Sequence, residues 1–188
     1  MNVIRYGAKN HLPLLVGLLC AVIAFALGHE VFAAAPLFGG MIMDARNEFA
    51  DATAANTGGV GSYLVGNVID LGLVPRDIGN GQPLYLVVTV DTAVLSATGS
   101  LKFSLCSDAQ AAIAVDGTQT THLTVGPFLQ AGMTAGTSLC CVALPSGVTY
   151  ERYLGIVQET ITAAMTAGKI NAFLTMDPIG WKAYPDAL

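Results

Sequence analysis

Seven short segments of this chain carry a strand signature, and no stretch long enough for an amphipathic helix separates them. They are Tyr63–Leu71, Pro83–Val90, Leu101–Cys106, His122–Phe128, Leu139–Leu144, Arg152–Gln158 and Ile170–Met176, rich in Val, Leu, Thr and aromatic residues. Turn-forming joints punctuate them: Gly79-Asn80-Gly81, Thr98-Gly99-Ser100, Asp116-Gly117, Ala135-Gly136-Thr137, Pro145-Ser146-Gly147 and Ala167-Gly168. Short strands at close, regular spacing predict an all-β, antiparallel sandwich or barrel. The Asn80-Gly81 pair predicts a hairpin turn, because that dipeptide suits the type I′ geometry. Two segments are weaker. Asp44–Thr57 reads as a turn or two of helix or as an extended arm, and Thr160–Ala167 as a short helix or a small-residue loop. Pro178–Leu188 reads as an irregular tail whose Trp181 and Tyr184 need a surface to pack on.

Charge narrows the partners. Only 11% of the 188 residues are charged, against about 25% in an ordinary soluble domain. Disordered chains and coiled coils need more charge than this, so both are excluded. The net charge is −5, and no basic stripe exists to neutralise phosphates, so nucleic acid is not expected as a partner. In Leu84–Val90 one face carries Tyr85, Val87 and Thr89 and the other Leu84, Leu86, Val88 and Val90. A single sheet packed on one core does not need two apolar faces, so the outer face is expected to meet another chain.

The first 43 residues differ from the rest. Leu12–Gly28 is uncharged and apolar, preceded by Arg5 and Lys9 and followed by Ala33-Ala34-Ala35-Pro36. Three readings of this hydrophobic leader stand side by side. It is a signal peptide, an ordered arm or anchor, or an extension upstream of a natural start at Met41 or Met43. The organisation expected is a leader at 1–43 and one β-sandwich domain at 44–188. No second run approaches the length of a membrane span, so the body is not expected to be integral to a membrane.

The residues that carry chemistry are sparse. Cys20, Cys106, Cys140 and Cys141 include no C-x-x-C pair, and adjacent residues in a strand point to opposite faces, so Cys140 and Cys141 cannot share a tetrahedral metal. A bridge from Cys106 to Cys140 or Cys141 stays open, beside the reading of all three as small buried apolar residues. His122 is the body's single histidine. It is read as a strand-start residue bonded to a loop, since neither a multi-histidine metal site nor a G-x-S-x-G elbow accompanies it. Asp70, Asp77, Asp91, Asp108, Asp116, Glu151, Glu159 and Asp177 sit mostly at strand ends, where carboxylates stabilise turns. Arg76-Asp77 and Glu151-Arg152 read as corner or interface ion pairs. No enzyme, metal or cofactor is expected.

Several segments together resemble a known family. Phe49–Ala52 (FADA), Asn67–Gly72 (NVIDLG), Arg76–Leu86 (RDIGNGQPLYL), Glu151–Leu154 (ERYL) and Thr166–Leu174 (TAGKINAFL) resemble, in this order, the capsid cement proteins of tailed phages, of the type known from a Bordetella short-tailed phage. The resemblance spans about residues 41–177. It implies a jelly-roll-like β-sandwich that forms a homodimer and sits on the outer surface of the virion, against the major capsid protein of an icosahedral shell of Johnson-fold subunits. The leader and the insertion-like Thr57–Ser62 depart from the family pattern. The residues expected at interfaces are Arg76, Asp77, Tyr85, Glu151, Arg152, Trp181 and Tyr184. The competing reading is a secreted or periplasmic β-sandwich binding module, carbohydrate-binding or pilus-like, which rests on the signal-like leader.

Overall fold

The computed structural model describes residues 45–55, 58–73, 78–79 and 81–178. The leader, Arg76, Asp77, Trp181 and Tyr184 lie outside the described residues. A 3₁₀ turn, Ala45–Asn47, leads into eight strands: β1 (Glu48–Ala54), β2 (Gly61–Asp70), β3 (Tyr85–Leu95), β4 (Ser100–Asp108), β5 (Thr120–Leu129), β6 (Ser138–Ala143), β7 (Tyr153–Ile161) and β8 (Ala167–Thr175). They form two antiparallel four-stranded sheets, ordered β1-β8-β3-β6 and β2-β7-β4-β5. The pairs β1–β8, β2–β7, β3–β6 and β4–β5 are those of one long hairpin folded over on itself, and the β8–β3 and β7–β4 ladders join its halves into sheets. That is a β-sandwich, as the strand pattern predicts, with the jelly-roll connections that the family resemblance implies.

The seven expected strands all form. The Asp44–Thr57 segment supplies the eighth, β1, because its backbone finds a partner in β8 across more than a hundred residues. The turn at Gly79–Gly81 is not that of a hairpin. β2 and β3 lie in different sheets, so this connection carries the chain across the sandwich. Of the described strands only β4 and β5 are neighbours both in sequence and in a sheet.

Alternation places Phe49, Val65, Leu86, Val88, Val90, Leu101, Phe103, Leu105, Ile156 and Ile170 between the sheets, each at most 1% exposed. The opposite faces are covered in part. On the second sheet Cys106 and Val157 bury with Ile113 from the β4–β5 connection, and Leu64, Val68 and Tyr153 pack around them. On the first sheet Val87 and Thr89 of β3 and Phe173 of β8 are buried within one chain. Part of each outer face is thus covered within one chain, while Cys141 and Ala143 on the first sheet and Thr121 and Thr124 on the second stay exposed. Cys106, Cys140 and Cys141 are free thiols. Cys106 faces outward from the second sheet and Cys140 packs on the core from the first, which separates the two partners of the considered bridge. Burial pushes the Cys140 thiol up to about 11.

The sandwich closes most tightly at Gly66. The β2–β7 register slips between Val65 and Ile69, and Gly66 takes a left-handed φ of 66° in that bulge. A Cβ there would stand 1.9 Å from the carbonyl oxygen of Phe49 in β1. Gly66→Ala is expected to lose more than about 3 kcal/mol or to leave no folded protein, since a backbone clash adds to the left-handed penalty. Gly81→Ala, with φ 85° but nothing within 4 Å of the new Cβ, should lose only about 1–2 kcal/mol. Urea denaturation of both variants checks the difference.

Candidate functional site

Beside the bulge the chain builds a charged corner. β2 ends at Asp70, and β7 begins one residue after Arg152. The backbone N–H of Leu71 donates to the Arg152 carbonyl at 2.8 Å, which fixes the two segments side by side. The guanidinium then grips the Asp70 carboxylate with two bonds, Nε to Oδ1 at 2.9 Å and a terminal nitrogen to Oδ2 at 2.8 Å. Its central carbon lies 4.8 Å from the centre of the Tyr153 ring, a cation–π distance. Gly72 N–H adds a third bond to Oδ1 at 2.8 Å. The Arg152 hydrogen bonds and then the Gly72 N–H hold the Asp70 carboxyl down at about 2. Arg152 therefore pairs with Asp70 and not with its neighbour Glu151: adjacent residues at a strand start diverge, whereas the β2–β7 pairing brings Asp70 alongside.

Glu151 is turned to a different task. Its backbone N–H donates to Ser107 Oγ at 3.2 Å, and Ser107 Oγ lies 2.7 Å from His122 Nε2 and 3.5 Å from Glu151 Oε2. The one hydroxyl proton can go to the imidazole or to the carboxylate. His122 also packs on Tyr150 at 4.2 Å between ring centres. Tyr150 is fully buried and donates from its hydroxyl to the Pro145 carbonyl at 3.1 Å. This is not the order of a nucleophilic triad, in which the acid stands behind the imidazole on its other nitrogen. Here the acid is on the serine side and Ser107 is wholly buried. The arrangement is a clamp that ties β4, β5 and the β6–β7 connection together. Sequence reasoning placed His122 against a loop; its ring does pack on Tyr150 from a connection, while its hydrogen bond goes to β4.

Against this corner lies an open crevice of about 590 Å³, lined by Ala45, Arg46, Glu48, Asn67, Val68, Ile69 and Asp70. The 3₁₀ turn and the start of β1 form one wall and the β2 bulge the other. Burial, with Asp51 nearby, raises the Glu48 carboxyl above its usual range. Among the described residues no three His, Cys, Asp or Glu side chains gather closely enough to hold a metal ion.

Of the expected interface residues the structure brings Glu151 and Arg152 to one corner. Tyr85 is half-buried at the start of β3 in the other sheet, opposite Thr175 and Ala143. Sequence reasoning missed the pairing of Asp70 with Arg152 and the contacts among Ser107, His122 and Tyr150. The signal for the first was present, since Asp70 and Arg152 both lie in segments quoted for the family resemblance, but nothing in either segment names the other as partner.

A model of the Bbp16 family, whose name derives from a Bordetella phage, matches residues 49–174. The match opens in β1 and closes in β8, taking in all eight strands. No curated protein matches the chain.

Two titrations check the corner. Arg152→Met should move the Asp70 pKa from about 2 toward its ordinary 3.8, read by NMR of the carboxyl carbon. Because the folded value is depressed, the pair's contribution is present above the ordinary value and lost as pH falls through about 2. Burial lowers the His122 pKa from its ordinary 6.5. The unfolded chain therefore binds this proton more readily, and the contribution is full above 6.5 and lost as pH falls. Urea melts of His122→Asn should show lower stability at neutral pH and a flatter decline on acidification than the parent. A parent-like slope would remove His122 from the pH response.

Proposed function

The chain belongs to the Bbp16 family, and from that membership we propose that it is a structural protein of a phage particle that binds the outside of an icosahedral shell and cements adjacent major capsid subunits. The carrying observation is the match over residues 49–174, which takes in the whole sandwich and the Asp70–Arg152 corner rather than one isolated motif. The role is mechanical. A jelly roll packed around one continuous core is a stiff block, and a stiff block binds without first losing conformational freedom. Each contact on a shell resists rupture because parting it exposes buried apolar area, at roughly 25 cal/mol per Å². Icosahedral repetition multiplies modest contacts through effective concentration.

In this reading the partners are the major capsid protein and a second copy of the chain as a homodimer, and the location is the outer surface of the virion. The acidic balance, −5 overall, suits a position facing away from packaged nucleic acid. Among the described residues no helix is long and apolar enough to cross a membrane. The charged corner is where Arg152, already oriented by Asp70 and Tyr153, presents its remaining guanidinium N–H groups to a capsid carboxylate or carbonyl.

The test compares shells with and without the protein. Shells lacking it are expected to assemble at normal size but to rupture at lower temperature and under milder osmotic shock, followed by light scattering and release of packaged DNA. Equal resistance in the two preparations would sink the cementing role.

A further inference from the structure

A bulge in β5 turns His122 into the sandwich. Leu123 lies opposite Leu105 and Thr121 opposite Cys106, so His122 is the extra residue of the β4–β5 ladder. Thr121 meets Cys106 Sγ and Thr124 meets Ser104 Oγ on the outer face, whereas Leu123 packs on the core and the His122 ring on buried Tyr150. Two consecutive residues thus face inward, which a regular strand forbids and a bulge allows. The bulge delivers the imidazole to Ser107, which is wholly buried at the inward position of β4 that follows Leu101, Phe103 and Leu105.

Ser107 Oγ has one hydrogen to give and two lone pairs to fill, and three groups surround it. The Glu151 backbone N–H donates to it at 3.2 Å, His122 Nε2 stands at 2.7 Å and Glu151 Oε2 at 3.5 Å. The distances say where the hydrogen points. A hydroxyl donating to a carboxylate closes to about 2.5–2.7 Å, so the short contact to Nε2 is the one it serves. The imidazole is then neutral with its own hydrogen on Nδ1, and one lone pair of the hydroxyl is left over. A charged imidazole reverses this order, because Nε2 then carries a hydrogen and becomes a donor. Nε2–H and the Glu151 N–H fill both lone pairs, and the hydroxyl hydrogen is freed for Oε2.

We propose that Ser107 is a two-way relay: when His122 takes up a proton, the bond between them reverses, the hydroxyl turns to Glu151, and that carboxylate is drawn from the charged corner onto β4. The proton passes from solvent to Nε2, and the hydroxyl hydrogen stays on its oxygen while it rotates. The other charged and titratable groups around the ring are committed elsewhere. In β4, Asp108 accepts from the N–H groups of Gln110 and Ala114, and Cys106 faces the outer side. Tyr150 gives its hydroxyl hydrogen to the Pro145 carbonyl, Arg152 holds Asp70, and Tyr153 packs on the outer cluster. β5 itself carries no charged residue beside His122. Glu151 is therefore the carboxylate that answers the imidazole: burial favours the neutral ring, and the Glu151 charge opposes it. Because Glu151 adjoins Arg152, the charge on a partly buried ring sets which carboxylates the corner shows to a partner. The relay does not depend on the cementing role.

The test follows His122 and Glu151 by NMR through an acid titration of the full chain. The His122 ring signals, told from those of His11 and His29 by their loss in His122→Asn, should show the Nδ1–H tautomer at neutral pH. The Glu151 carboxyl carbon should move at the His122 midpoint, apart from its own titration, and this movement should largely disappear in Ser107→Ala. Glu151→Gln should lower the His122 midpoint by ~1 pH unit in the parent, and by less than about a third of that in Ser107→Ala. Ser107→Cys, similar in size and a weak donor, gives the same comparison where Ser107→Ala does not fold. An Nε2–H tautomer at neutral pH overturns the relay. A Glu151→Gln effect of equal size with and without the serine hydroxyl overturns it too, and leaves a plain attraction of charges. So does a Glu151 carbon that ignores the His122 titration.

Discussion

The β3–β8 ladder holds the two halves of the chain together. Buried backbone N–H and C=O groups must find partners, and in β3 they find them along most of the strand, from Tyr85 opposite Thr175 to Val90 opposite Ile170. β6 then joins the other side of β3, and β1 the other side of β8. The β4–β7 ladder does the same for the second sheet. With both central ladders in place, Leu86, Val88, Leu105 and Ile156 face one another across the sandwich and drive the sheets together by excluding water. Nearly all of this pairing joins residues distant in sequence, so no half of the chain is expected to hold its sheet alone.

The corner at the end of β2 depends on that frame. Arg152 meets Asp70 because β7 lies beside β2, and the β4–β7 ladder on its other side puts Glu151 N–H on Ser107 near the end of β4. Three consecutive residues thus go three ways: Tyr150 into the core, Glu151 to the serine, Arg152 to the carboxylate. The contacts differ in kind. The fork is solvent-exposed and sets direction more than stability, whereas the Tyr150–His122–Ser107 clamp is packed and closes the end of the barrel-like interior.

The sequence by itself determined that this chain is all-β. Period-two segments with β-branched and aromatic residues have no stable helical arrangement, and turn-formers every few residues leave no room for long crossovers. It also determined the scarcity of charge, the separation of Cys140 from Cys141 to opposite faces, and the strand-end positions of Asp70, Asp108 and Arg152. Only the tertiary structure decided which strands pair. Apart from β4 and β5, chain neighbours sit in different sheets, so local turn chemistry at Gly79–Gly81 says that the chain reverses but not toward which partner. β1 was hidden for the same reason: Glu48–Ala54 has weak strand propensity, and it is a strand because β8 supplies its hydrogen bonds, with Asn171 Oδ1 accepting from Ala52 N–H in the bulge. The Asp70–Arg152 fork and the His122 clamp share that origin. Each joins residues that are remote along the chain, and proximity of that sort exists only once the long-range ladders have formed.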